Sequence, residues 1–276
     1  MVIPRLRALV ITHLALGVLP VAGFLVPPGN RYLALKWALI AVGFGQLMVL
    51  SFWVGMSTVK GVLRLVGALC GTAYVVAGLL LAESLSPYST GPTRLTEYVT
   101  LYVGLFSVYS LVVFLLAGVF WLIRRSSTEL RLVADPNGLV APARFQYSVL
   151  HILIVMAFVS VVLGLVRSAR VADVPNAWHN VDALMIITFF VNSICAAFAA
   201  LGTGQIRLRI ALVLTVALLL GIALSLAGRF DRTDMFLWWM APPVLMTVLS
   251  TAIVLGSLLV VRSSGYRLIP KAIAVG

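Results

Sequence analysis

Three histidines stand in 276 residues, and two of them recur in matched settings: His13 and His151 are 138 positions apart, six and seven residues after Arg7 and Arg144. A long apolar run follows each arginine. At about 1.5 Å per helical residue, each imidazole would lie roughly 10 Å inside an apolar layer. An ionisable group in such a place is expensive and is read first as functional. Two imidazoles at equal depth can hold a haem iron from both sides, so haem b between His13 and His151 is the minor alternative for a cofactor. The plainer reading is a neutral imidazole bonded to a neighbouring helix, with no cofactor and no metal.

Two amides form a second matched pair. Gln46 and Asn192 are 146 positions apart, each near the middle of its apolar run. With the two histidines they are the candidate binding residues, either lining a polar path or joining helices. Gly67 and Gly71 make a GxxxG step that would admit a close backbone, and Ala196 and Ala200 offer another small-xxx-small face. Gly43-Phe44-Gly45 is no nucleotide fingerprint, because no strand precedes it and no acid follows at the required distance. No H-E-x-x-H, G-x-S-x-G or P-loop occurs, and no carboxylate lies deep in an apolar run. No catalytic residue is therefore expected. Cys70 and Cys195 both fall inside apolar runs, which is neither a disulfide framework nor a zinc pattern.

The elements that must position these residues are membrane helices. Hydrophobic residues make up 62% of the chain and charged residues 10%. A soluble domain runs near 25% charged, and one globular core of this size cannot hide the apolar excess. Apolar runs long enough for a hydrocarbon layer occur at 8–27, 33–56, 60–82, 98–123, 147–166, 182–203, 206–228 and 236–261. These runs are continuous rather than alternating, which selects helix over membrane barrel. An all-α, polytopic chain of eight transmembrane helices is expected, the first uncleaved. Pro242 and Pro243 should kink the eighth or delay its start.

Charge orients the helices. Of 20 Lys and Arg, 13 fall on one side of this segmentation and 7 on the other, while the acids divide 2 to 6 the opposite way. The basic bias places both termini in the cytoplasm. It also accounts for a net charge of +12 without nucleic acid. The expected partners are the lipid bilayer and other membrane protein subunits.

Asp135-Pro136-Asn137-Gly138 is a turn signal in the longest cytoplasmic connection, and it divides the chain into halves 1–137 and 138–276. The halves repeat each other: the two pairs above, and Arg125-Ser126-Ser127 against Arg262-Ser263-Ser264. Four crossings per half make a parallel repeat about an axis along the membrane normal, with any shared site between the halves.

Arg144-Phe145-Gln146-Tyr147-Ser148, leading into the run that ends at Arg167, resembles a membrane-entry segment of uncharacterised bacterial multi-pass inner-membrane proteins. That resemblance implies an inner (plasma) membrane location and no activity. Eight helices in two bundles is also the arrangement of haem A synthase, to which the chain is similar only in topology. That family's set of helix-borne histidines with a nearby acid is not matched here. The first expectation for function is a non-catalytic integral membrane subunit or scaffold packed against partner membrane proteins. The alternative is a permease-like binder or transporter of an apolar or neutral small molecule between the halves.

Overall fold

The structure is a computed structural model that describes residues 7–16, 30–57, 59–85, 95–126, 128–132, 179–202, 205–228 and 236–270. Seven helices and two short strands lie among them. The helices are α1 (described over Arg7–Leu16), α2 (Asn30–Met56), α3 (Gly61–Leu85), α4 (Leu95–Ser126), α5 (His179–Leu201), α6 (Ile206–Gly228) and α7 (Phe236–Ser263). The strands are β1 (Thr128–Leu132) after α4 and β2 (Tyr266–Pro270) after α7.

Five helices are long and apolar enough to cross a membrane: α2, α3, α4, α6 and α7. They answer to the second, third, fourth, seventh and eighth expected spans. The first and sixth are represented by the shorter apolar helices Arg7–Leu16 and Ile187–Leu201. The fifth, 147–166, lies outside the described residues. The chain thus has the helix lengths and composition of a multi-pass membrane protein. Of the two outcomes expected for Pro242 and Pro243, a delayed start does not occur: α7 starts at Phe236, so both lie inside it.

The C-terminal ends of α2, α4, α5 and α7 share one end of the bundle, because arginines bind them together there and β1 pairs with β2. This is the ribbon end. The strands are antiparallel, with Leu130 opposite Leu268 at the centre of the register. Leu268 is buried against the helical core. Gly265 ends α7 with φ 95°, a left-handed conformation that glycine adopts without a Cβ clash. The strand pair was not foreseen, since five residues of mixed polarity next to a span carry no clear period-two signal.

Helix α2 is central, with 67% of its span buried, against 22% for α3 and for α6. It packs on α3, α4 and α7, while α5 packs on α6 and α7. Val62 (72% exposed) on α3 and Leu208 (66%) on α6 would form costly apolar patches in water, but hydrocarbon accepts them. In lipid there is little hydrophobic drive between helices, so association rests on packing and interhelical polar contacts. Phe44 of α2 supplies packing: its ring stacks on Phe189 of α5 at 4.3 Å and meets Tyr109 of α4 edge-on at 5.5 Å.

Glycines permit the closest approaches. A Cβ on Gly55 would lie 2.5 Å from the Ala117 carbonyl oxygen of α4, and one on Gly45 would lie 2.9 Å from Ile253 of α7. The expected GxxxG step acts differently: Gly67 receives the Trp53 ring and Gly71 the Leu50 side chain, both from α2. The step therefore admits side chains and not a neighbouring backbone.

Candidate functional site

The junction of α1, α2 and α7 gathers the candidate residues of the first half. Ser257 on α7 donates its hydroxyl proton to the Ile253 carbonyl one turn earlier, at 2.7 Å. Its oxygen is then the acceptor for the His13 Nε2–H of α1, at 2.8 Å. That assignment makes His13 the Nε2–H tautomer and leaves Nδ1 as its acceptor atom. Gln46 of α2 donates Nε2–H to the His13 carbonyl at 2.7 Å. Tyr74 of α3 donates its phenol proton to the Leu14 carbonyl at 2.6 Å. A carbonyl has two lone pairs, so each of these can accept such a bond beside its own helical one. Three helices thereby hold one turn of α1.

Beside this junction α1 and α7 enclose a groove of about 450 Å³. Its lining changes along its length. Ala8 and Ser263 stand towards the ribbon end, Thr12, His13 and Ser257 at mid-length, and Leu16 and Ile253 at the deeper end. Gly256 opens the floor, for nothing lies within 4 Å of the place a Cβ would take there. Apolar walls with a few hydroxyls and one imidazole suit a molecule that is largely hydrocarbon and carries a neutral hydrogen-bonding group.

The second matched set stands differently. His151 lies outside the described residues, so the histidine pair is not brought together among them. Asn192 of α5 is fully buried, and among the described residues neither its Oδ1 nor its Nδ2 has a hydrogen-bond partner. Gln46 joins helices, whereas Asn192 joins nothing. Ala196 and Ala200 are fully buried, and the Ala200 carbonyl accepts a bond from Arg262 at 2.9 Å. Among the described residues no three His, Cys, Asp or Glu side chains come together as a metal site.

Hydroxyls mostly turn back on their own helices. Ser51, Thr72, Ser107, Ser193, Ser250 and Thr251 each donate to the carbonyl four residues earlier. In the core, polar groups concentrate on α7, with Thr247, Ser250, Thr251 and Ser257 all buried.

Sequence reasoning missed the role of the arginines at the ribbon end. Arg124 of α4 donates Nη1–H to the Ser57 carbonyl just past α2. Arg262 of α7 donates to the carbonyls of Ala200 and Gly202 at the end of α5, at 2.9 and 2.7 Å. Arg64, in the first turn of α3, donates to the Val54 carbonyl at 3.2 Å and does not merely extend towards water. Cations are favoured at helix C-termini, where four carbonyls lack helical partners. The repeat of Arg-Ser-Ser had pointed to Arg125 as the counterpart of Arg262. The arginine of that pair of positions that bonds a carbonyl is Arg124, and Arg125 lies 5.3 Å over the Trp121 ring.

If His13 is a helix-joining residue, its substitution by glutamine keeps a donor near Ser257. Thermal stability of His13→Gln should change by about 0.6 kcal/mol or less, the average for such bonds in membranes. On this reading the purified wild type should show no Soret band; a band lost in His13→Gln would contradict it.

No family model matches the chain, and no curated protein or solved structure matches it either.

Proposed function

We propose that this chain is a non-catalytic, multi-pass membrane protein that binds an apolar or neutral small molecule in the groove between α1 and α7, in the manner of a permease. The observation that carries the reading is the His13–Ser257 bond at the groove wall. It joins α1 of one proposed half to α7 of the other and sets neutral polar atoms within an apolar lining.

The halves are 1–137 and 138–276, each with four spans, in a parallel repeat. Several positions support the duplication. Ser57 and Arg64 in one half correspond to Gly202 and Arg209 in the other, seven residues apart in each case. The partners of Ser57 and Gly202 are Arg124 and Arg262, 138 positions apart. Six residues after each of those arginines comes the central residue of a strand, Leu130 or Leu268, and the two are paired. A rotation axis through that pair accounts for antiparallel strands with equivalent residues facing.

The Lys/Arg bias supports a cytoplasmic ribbon end with both termini on the same side, and the membrane we propose is the bacterial inner membrane. Reporter fusions at either terminus should read cytoplasmic and a fusion within 84–97 external. An external C-terminus would contradict the eight-span count.

A second reading is a subunit or scaffold packed against other membrane proteins. It draws on the largely exposed α3 and α6 and on Gly104 and Gly118 of α4, where among the described residues nothing lies within 4 Å of the place a Cβ would take. A partner helix could come close there.

The groove reading is tested by filling the groove. Gly256→Trp should abolish lipid-like molecules retained by the purified protein in native mass spectra. Gly104→Trp, on an equally open face elsewhere, should leave them in place. Equal retention by both variants would overturn the reading in favour of the scaffold.

A further inference from the structure

We propose that Arg209, Arg262 and Arg267 form a site at the ribbon end for a phosphate oxyanion, supplied by the headgroup of an anionic phospholipid. The three side chains come from α6, α7 and β2 and meet around the turn that ends α5. Arg262 Nη1 lies 2.7 Å from the Gly202 carbonyl oxygen. Arg209 Nη1 lies 2.5 Å from the point that a Cβ on Gly202 would occupy. Arg267 donates Nη1–H to the carbonyls of Arg262 and Tyr266, at 2.5 and 2.8 Å. Arg262 is within Coulombic range of both other guanidinium groups.

Main-chain carbonyls hold Arg262 and Arg267 in place. A carbonyl satisfies an N–H donor without cancelling its charge, so three like charges remain together. The elements that meet here offer little to neutralise them. Helix α6, helix α7 and β2 contain no Asp or Glu, and the one acid on α5, Asp182, is 19 residues from Leu201. At about 1.5 Å per residue that places it some 28 Å away along the helix. Strand β1 contributes one acid, Glu129, but also Arg131, which stands opposite Arg267 in the register. Burial pushes the Arg267 guanidinium below its ordinary proton affinity, a penalty that an adjacent anion would relieve.

Guanidinium is the cation suited to phosphate, since its planar fork presents parallel N–H donors to two oxygens. Basic clusters between helices at the cytoplasmic face are the places where phospholipid headgroups bind. The site is separate from the α1–α7 groove and does not depend on a ligand there.

The test uses the full chain in nanodiscs of phosphatidylcholine alone and of phosphatidylcholine mixed with phosphatidylglycerol, with inorganic phosphate as a third arm. Phosphatidylglycerol should raise the thermal midpoint and remain bound in native mass spectra. The double variant Arg209→Gln/Arg267→Gln should bind it about 25-fold more weakly, about fivefold per charge removed at the surface. Both substitutions leave the bonds of Arg262 to α5 in place, so the midpoint in phosphatidylcholine alone should stay that of the wild type. If it falls, Arg209→Lys/Arg267→Lys decides, because it keeps the charge and should keep most of the phosphatidylglycerol response. An unchanged response in the glutamine variant, or its loss in a stable lysine variant, would overturn the proposal. Protection by inorganic phosphate with none from phosphatidylglycerol would overturn the lipid as the source.

Discussion

Replacing Gly55 with alanine should destabilise the bundle by about 2 kcal/mol, although alanine is the better helix former by about 1 kcal/mol. The added Cβ would lie 2.5 Å from both the Ala117 carbonyl oxygen and the Phe120 Cβ. Neither of those atoms is the free end of a flexible side chain, so relief requires α2 and α4 to separate. Separation would loosen the T-shaped contact of Phe52 with Phe120, now at 5.2 Å. Gly118→Ala is the matched control on α4, where nothing lies within 4 Å. It should be neutral or up to about 1 kcal/mol stabilising. Thermal unfolding in one detergent reads both. A stabilised Gly55→Ala would mean that α2 and α4 do not approach as described.

Asn192→Leu should stabilise the protein by about 1–3 kcal/mol. An amide buried without partners bears its full desolvation cost, and an apolar side chain of the same branching does not. Asn192 is fully buried, with both polar atoms unbonded. It sits on α5 beside Ser193, whose hydroxyl is satisfied by the Phe189 carbonyl at 2.8 Å. The substitution therefore isolates the amide. Thermal unfolding compared across wild type, Asn192→Leu and Asn192→Ala separates amide from volume, because alanine removes the amide but leaves a cavity. A fall in stability for the leucine variant would show that the amide has a partner worth keeping.

These two residues also show what could be read from the chain and what could not. Asn192 was visible as a lone amide in an apolar run, and so was Gln46. Their different states were not visible, because hydrogen bonding depends on which carbonyl a neighbouring helix presents. Gln46 meets the His13 carbonyl; Asn192 meets none. Hydropathy placed five of the expected spans well, for it is a sum over some twenty residues that a single residue hardly alters. The run expected over 206–228 is the helix Ile206–Gly228.

Helix contacts were less legible. Gly67 and Gly71 had the spacing of a helix-pairing step, yet a close backbone approach occurs at Gly55, whose small partner four residues earlier is Ser51 and not a second glycine. Small-residue spacing marks where a helix can be approached and leaves open which neighbour arrives. His13 was singled out for its chemistry, but Ser257 was passed over, since serines are common in membrane helices and most bond back to their own turn. Ser257 does that as well, and its second contact depends on where α1 lies. The arginine caps had a usable signal: Arg124 and Arg262 each stand in the last turn of a helix, where cations are favoured.

The central claim is that α1 and α7 meet through His13 and Ser257 and leave a groove that holds a lipid-like molecule. Its most direct test is photolabelling of the full-length protein in a bilayer containing a fatty alcohol with a diazirine near its hydroxyl. The labelled peptides are then mapped in wild type and in Gly256→Trp. Labelling should concentrate in residues 8–16 and 253–263 and disappear from both in Gly256→Trp. Labelling spread over the outward faces of α3 and α6, with no excess at α1 and α7 and no response to Gly256→Trp, would contradict it.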